Sequence, residues 1–191
     1  MSYALDKLNS RVTGCTKCRL MNQGQKRVMG AGAIEPLVFF LGESPGRMGA
    51  DQTGIPFTQD RCGRLLRKMI EEIELCPQEI YISNVLKCNP RNAKGKNRRP
   101  SNEELVNCHE YLLAELNTVR AKVIVPLGEI ASREFLGRKV CMKEINAKIF
   151  NHVDFGIIFP LFHPGYIIRG NYPLSIYRKD FACLRALVRR H

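Results

Sequence analysis

Tryptophan is absent from this sequence and acidic residues are scarce: 18 Asp and Glu stand against 30 Lys and Arg, for a formal charge of +12. An excess of that size sustains a positive potential over part of the surface, so polyanions are the natural partners. No long apolar run is present, which argues against a membrane-spanning helix, and there is no basic amphipathic stretch or lipidation signal to favour a membrane surface. Nucleic acid is the partner that fits. The opening Met1-Ser2-Tyr3-Ala4-Leu5-Asp6-Lys7 lacks a charged leader followed by an apolar run and a cleavage site, so a cytoplasmic protein is expected. No internal repeat appears. With 191 residues, 45% of them hydrophobic, one domain spanning 1–191 is expected. A monomer is the default, and nothing assigns a protein partner such as a sliding clamp.

Cysteine, by contrast, is plentiful. Eight cysteines in a reducing compartment do not make a disulfide framework, and grouped ones point to metal. Cys15 and Cys18 form a Cys-x-x-Cys pair, Cys88 follows an apolar run, and Cys108 lies on the inward stripe of a predicted helix. Four thiolates can close one site, and their chemistry suits either zinc or an iron–sulfur cluster. Cys62, Cys76, Cys141 and Cys183 lack paired spacing and read as packing residues.

Apolar, β-branched runs at 37–41, 80–82, 123–127 and 157–162 read as buried strands. Helical periodicity separates them. Leu65, Leu66, Met69, Ile70 and Ile73 share one face of a helix starting near Asp60 or Arg61, and Ser101 with Glu104 forms a capping box ahead of Leu105, Cys108, Leu112 and Leu116. A short helix runs from Glu129 to Leu136, and a last one carries Tyr177, Phe181, Leu184 and Val188. Continuous apolar strands alternating with helices predict an α/β fold: a three-layer α/β/α sandwich around a mainly parallel, four-stranded sheet. Ligands bind such sheets beyond the carboxyl ends of the strands.

Those ends carry the candidate chemistry. The first strand runs into Gly42-Glu43-Ser44-Pro45-Gly46, the second ends at Asn84, and the fourth ends at His163-Pro164. An amide that donates and accepts suits a nucleobase edge. Gly54-Ile55-Pro56-Phe57 adds an aromatic on which a base can stack. The stretch from Lys87 to Pro100 is rich in Arg and Lys.

Taken in order, Gly42-Glu43-x-Pro45-Gly46, Gly54-x-Pro56-Phe57, Asn84 before Lys87-Cys88, and His163-Pro164 resemble the motifs of the family 4 uracil-DNA glycosylases, over roughly residues 15 to 190. The resemblance implies a DNA-repair enzyme that flips uracil out of single- or double-stranded DNA and hydrolyses its N-glycosidic bond. It implies a [4Fe–4S] cluster on Cys15, Cys18, Cys88 and Cys108. It also implies roles: Phe57 stacks on the base beside Gly42, Asn84 reads N3–H and O4 against cytosine, His163 donates to O2, and Glu43 handles the water or the sugar cation.

Ser44 stands where family 4 members usually carry Ala or Gly, making its hydroxyl a candidate holder of the water. The stretch 47–51 resembles family 5 more, which makes Asp51 a second candidate base. Arg98 and Arg99 follow the family pattern and are expected on DNA, with Tyr166 to Arg169 resembling the loop that wedges into the duplex. No histidine of the uracil-trapping kind occurs in the basic loop, so turnover is expected. The rivals are a nucleic-acid-binding module without catalysis and a glycosylase for other bases such as hypoxanthine.

Overall fold

A computed structural model of the chain describes residues 3–23, 26–137 and 139–190; Met1 and Ser2, part of the opening stretch read for a leader, lie outside them. The four expected strands are present as β2 (Val38–Gly42), β3 (Ile80–Asn84), β4 (Val123–Pro126) and β6 (Gly156–Ile158), all parallel. The sheet is nevertheless six-stranded, in the order β1-β3-β2-β4-β6-β5. The two additions, β1 (Ala31–Gly32) and β5 (Phe150–His152), pair antiparallel at the edges. They are two and three residues long and carry no buried residue, so no apolar run marks them.

Alternation along the strands divides the core into two layers. Val38 and Phe40 of β2 face one side, with Leu66, Met69 and Ile70 of α3 (Arg61–Glu72) and Tyr177, Phe181 and Leu184 of α8 (Leu174–Val188). Phe39 and Leu41 face the other, with Leu5, Leu8 and Val12 of α1 (Tyr3–Thr13), Leu112 and Leu116 of α4 (Asn102–Thr118), and Phe135 of α5 (Glu129–Leu136). Each of these large side chains contributes about 1.5–3 kcal/mol by leaving water. Among the described residues, no helix is long and apolar enough to cross a membrane.

Side chains fix the starts of α3 and α4, the second by the capping box the sequence predicts. Asp60 accepts the Gly63 N–H at 2.7 Å to start α3. Ser101 and Glu104 complete a reciprocal capping box at α4, with distances of 3.2 and 2.9 Å. From β2 the chain crosses through α3 to β3, then returns through α4 to β4 on the other flank of β2. Two crossovers running in opposite directions must cover opposite faces if both are right-handed, which opens a crevice at the carboxyl ends of β2 and β4.

Beneath that crevice lies a buried ion pair. Lys87 Nζ sits 2.6 Å from Glu115 Oε2, with the two side chains 1% and 0% exposed. Ser83 Oγ, the Tyr81 hydroxyl and the Gly30 N–H also donate to Glu115, while Lys87 Nζ donates to the Asn84 carbonyl at 2.9 Å. With that many partners, both charges are satisfied without water. Lys87→Met is expected to destabilise the protein by about 3–5 kcal/mol in urea unfolding, because it strands the Glu115 charge. Lys87→Met with Glu115→Gln should recover most of that loss; an equally unstable double variant would contradict the assignment.

Candidate active site

The crevice holds a cavity of about 360 Å³ lined by four strand-end segments. Glu43 to Gly46 come from β2, Asn84 from β3, Leu127 to Glu129 from β4, and His163 and Gly165 from the chain beyond β6. Register explains the convergence: Gly42 stands opposite Asn84, and Leu127 bridges to Leu161 two residues before His163. Phe57 closes one side.

Asn84 is the most telling member. It is 1% exposed, and among the described residues neither its Nδ2 nor its Oδ1 has a hydrogen-bond partner. Leaving one buried polar group unpaired costs about 1–3 kcal/mol, so an amide orphaned at both ends is built for a ligand that donates and accepts. Gly42 makes room for it. A Cβ there would collide with the Asn84 Oδ1 and come within 2.6 Å of the Phe57 ring, so only a bare Cα lets amide and ring meet.

His163 caps α7 (Pro164–Ile168): its Nδ1 accepts the Gly165 N–H at 3.0 Å. Burial, helped by the Arg169 charge, drives its pKa down to about 4. The ring is therefore neutral near pH 7 with its proton on Nε2, a donor not committed to the helix cap. Its centroid lies 6.0 Å from that of Phe57, tilted by 42°. Burial also raises the Glu43 pKa, against the pull of the Arg99 charge and with the push of Glu129.

Other expected residues fall elsewhere. Ser44 lines the cavity, whereas Asp51 does not: it sits 5% exposed in α2 (Ala50–Thr53), paired with Arg91. Arg98 lines the cavity, but both its Nη atoms are held by Glu104, at 2.9 and 2.5 Å, so it offers no free fork to DNA. Arg99 is exposed and pairs with Glu129 at 3.0 Å. The ring of Tyr166 stacks on Phe162 at 4.8 Å and Ile167 is buried, so this segment packs inward; Arg169 at its end is exposed on the cavity wall.

Cysteines also depart from expectation. Cys76, Cys141 and Cys183 are exposed, and Cys62 lines the cavity, its thiol pKa raised by burial to about 11. Polar cavity residues that the sequence did not mark as site residues include Asp60, Asn97 and Glu129. Asn89, also missed, ties the basic loop to the first turn by donating to the Pro45 carbonyl at 2.6 Å. A buried Asn in a polar loop carries no periodic signal.

Cys15, Cys18, Cys88 and Cys108 line a second pocket together with Leu20, Leu86 and Tyr111. Burial raises the thiol pKa of Cys18, Cys88 and Cys108, that of Cys88 to about 12, and the neighbouring cysteines add to the rise. Such crowding is unfavourable for four anions unless a cation offsets their charge. Four such thiols have the chemistry to suit a thiolate-bound metal or cluster, and among the described residues no group of three or more His, Cys, Asp or Glu is placed to hold a single ion.

The uracil-DNA glycosylase superfamily matches residues 29–187. The chain belongs to that superfamily. A type-4 uracil-DNA glycosylase of Thermotoga maritima is 34% identical over 166 residues, 86% of this chain and 83% of the relative. One from Archaeoglobus fulgidus is 31% identical over 185 residues, 93% and 90%. A type-5 enzyme of Pyrobaculum aerophilum is 30% identical over 118 residues, 55% and 50%. Within the superfamily the chain is a member of the type-4 group, which it matches almost end to end.

The depressed His163 pKa gives a test that needs no substrate. NMR titration is expected to find this imidazole neutral, as the Nε2–H form, until the pH falls to about 4. Because the unfolded ring titrates near 6.5, its contribution to stability is complete above about pH 6.5 and lost progressively down to about 4. A midpoint near 6.5 in the folded protein would rule out the buried neutral donor.

Proposed function

We propose that this protein excises uracil from DNA as a monofunctional hydrolytic glycosylase, leaving an abasic site. The observation that carries the reading is the orphaned, buried amide of Asn84 in a cavity closed by Phe57. Uracil presents a donor at N3 and an acceptor at O4, the complement of that amide; cytosine presents the reverse. A base inside a duplex cannot reach a strand-end cavity, so the nucleotide must be extruded, with Phe57 replacing part of the lost stacking.

As the N1–C1′ bond breaks, negative charge spreads onto O2 and O4 of the leaving base. His163 Nε2–H stabilises it at O2 and Asn84 Nδ2–H at O4, donors fixed before the reaction starts. Glu43 is the carboxylate placed to orient the attacking water or to balance the sugar cation, with the Ser44 hydroxyl beside it. Asp51 has no place in this scheme, since its carboxylate is engaged by Arg91 outside the cavity. Backbone contacts to DNA fall to the exposed Arg99, Arg169 and the Lys94–Lys96 turn.

Cys15, Cys18, Cys88 and Cys108 would hold a [4Fe–4S] cluster, the choice the family resemblance makes between the two thiolate centres. Bound there, it would supply structure, joining the N-terminal segment to α4 and the start of the basic loop. All eight cysteines are free, which suits a reducing compartment such as the cytoplasm.

Release of uracil from a single-stranded oligonucleotide carrying one dU, scored by alkaline cleavage, is the direct assay, with hypoxanthine and T:G substrates alongside. Asn84→Ala should lower kcat/KM about 5- to 150-fold, the effect of one bidentate base contact worth about 1–3 kcal/mol. DNA retained without any cleavage would mean a binding module instead. Anaerobically purified protein should be brown and contain iron, and Cys88→Ser should lose the colour. Stoichiometric zinc in colourless, active protein would exclude the cluster.

A further inference from the structure

We propose that Arg67, with Arg64 beside it on α3, is a positioning residue that clamps the 56–60 loop in a strained backbone conformation and thereby holds the Phe57 ring in the base cavity. The proposal rests on the reading of Phe57 as the surface on which the flipped base stacks.

Phe57 has a φ of 49° and Gln59 one of 58°. In this left-handed region Cβ crowds the following carbonyl, and a bulky aromatic there is an outlier. Two such residues within three positions, neither of them glycine, persist only where their surroundings over-determine them.

The surroundings are two guanidinium groups three residues apart, on one face of α3. Arg67 Nε donates to the Phe57 carbonyl at 2.7 Å and its Nη2 to the Pro56 carbonyl at 3.1 Å, while Arg64 Nη1 donates to the Gln59 carbonyl. A rigid fork on consecutive carbonyls fixes the orientation of the peptide planes, which an ammonium cannot do. Among the described residues Arg67 forms no salt bridge with a carboxylate; its guanidinium is committed to backbone carbonyls, and the desolvation that comes with this lowers its pKa.

Helix and loop also fit one another sterically. A Cβ on Gly63 would stand 2.5 Å from the Phe57 carbonyl carbon, so the loop lies directly on the first turn of α3, which Asp60 caps. On its other side the Phe57 ring covers Gly42 and approaches His163. Relaxing φ to a negative value would redirect the Cα–Cβ bond and withdraw the ring from both. Arg67 does not line the cavity, so any effect it has on the base passes through Phe57.

The test compares Arg67→Met, which keeps the stem and loses the fork, with Arg67→Lys, which keeps the charge and a donor. Four readings are taken: kcat/KM on the dU oligonucleotide, inhibition by free uracil, affinity for undamaged single-stranded DNA, and amide hydrogen exchange over residues 57–60. Arg67→Met should lower kcat/KM and weaken uracil inhibition by about tenfold, the loss of two charge-assisted hydrogen bonds felt at one ring. Affinity for undamaged DNA should stay within about twofold, loop exchange should quicken, and Arg67→Lys should recover part of each loss. In a Phe57→Ala background the same substitution should add nothing, as required of a residue that works through that ring.

Wild-type uracil handling in Arg67→Met, or equal losses of uracil and undamaged-DNA binding, would overturn the proposal. Should the wild-type protein itself release no uracil, the functional reading fails, while hydrogen exchange still decides whether the clamp holds the loop.

Discussion

Parallel pairing of β2 with β3 on one side and β4 on the other is the constraint from which the site follows. Because β2 is extended by the same register on both flanks, Gly42 is set beside Asn84, and the chains leaving β2 and β4 diverge over one crevice. Glu43, Asn84 and the turn at Gly128 therefore need no flexible loop to find one another. The approach is close enough to dictate residue types: a Cβ at Gly128 would lie 3.1 Å from the Cβ of His163, just as one at Gly42 would displace Asn84. Glycine at these two positions is what allows polar side chains to share so small a volume.

The polar groups of the cavity are poised by desolvation rather than by mutual hydrogen bonding. Asn84 is left unpaired, His163 is held neutral by burial, and Glu43 is pushed towards its protonated form. A folded protein tolerates these costs because the sheet beneath is densely packed and the Lys87–Glu115 pair is fully satisfied. Donors already stripped of water lose little when a ligand arrives, which is the condition under which fixed dipoles stabilise developing charge.

How much of this could be read from the sequence depended on periodicity. The four parallel strands, the start of α3, the α4 cap and the inward face of α8 were legible because apolar spacing and capping chemistry are local. The edge strands were not, because Ala31–Gly32 and Phe150–His152 bury nothing. Strand-end placement brought Glu43, Ser44, Asn84 and His163 to one cavity, as expected of a doubly wound sheet. The partners of Asp51 and Arg98 were hidden for a common reason: a charge looks available in sequence until its counter-charge is found, here Arg91 and Glu104, 40 and 6 residues away. The stacking of Tyr166 on Phe162 was hidden because it is a tertiary contact. The strain at Phe57 was equally hidden, since nothing in Pro56-Phe57-Thr58 announces a left-handed aromatic.

The segment 84–88 joins the two pockets. Asn84 faces the base cavity, and four residues later Cys88 faces the cysteine pocket. Between them Lys87 reaches both ways, its Nζ to the Asn84 carbonyl at 2.9 Å and its N–H to the Cys108 sulfur at 3.4 Å. Glu115, from the same helix as Cys108, anchors the Lys87 charge. The cluster proposed for Cys15, Cys18, Cys88 and Cys108 would draw α4 and the start of the basic loop together, and through Lys87 it would also bear on the height at which Asn84 stands at the end of β3. A group of four sulfurs remote from the reacting bond can thus bear on base recognition without taking part in the chemistry, through one buried ion pair and a short, hydrogen-bonded piece of backbone.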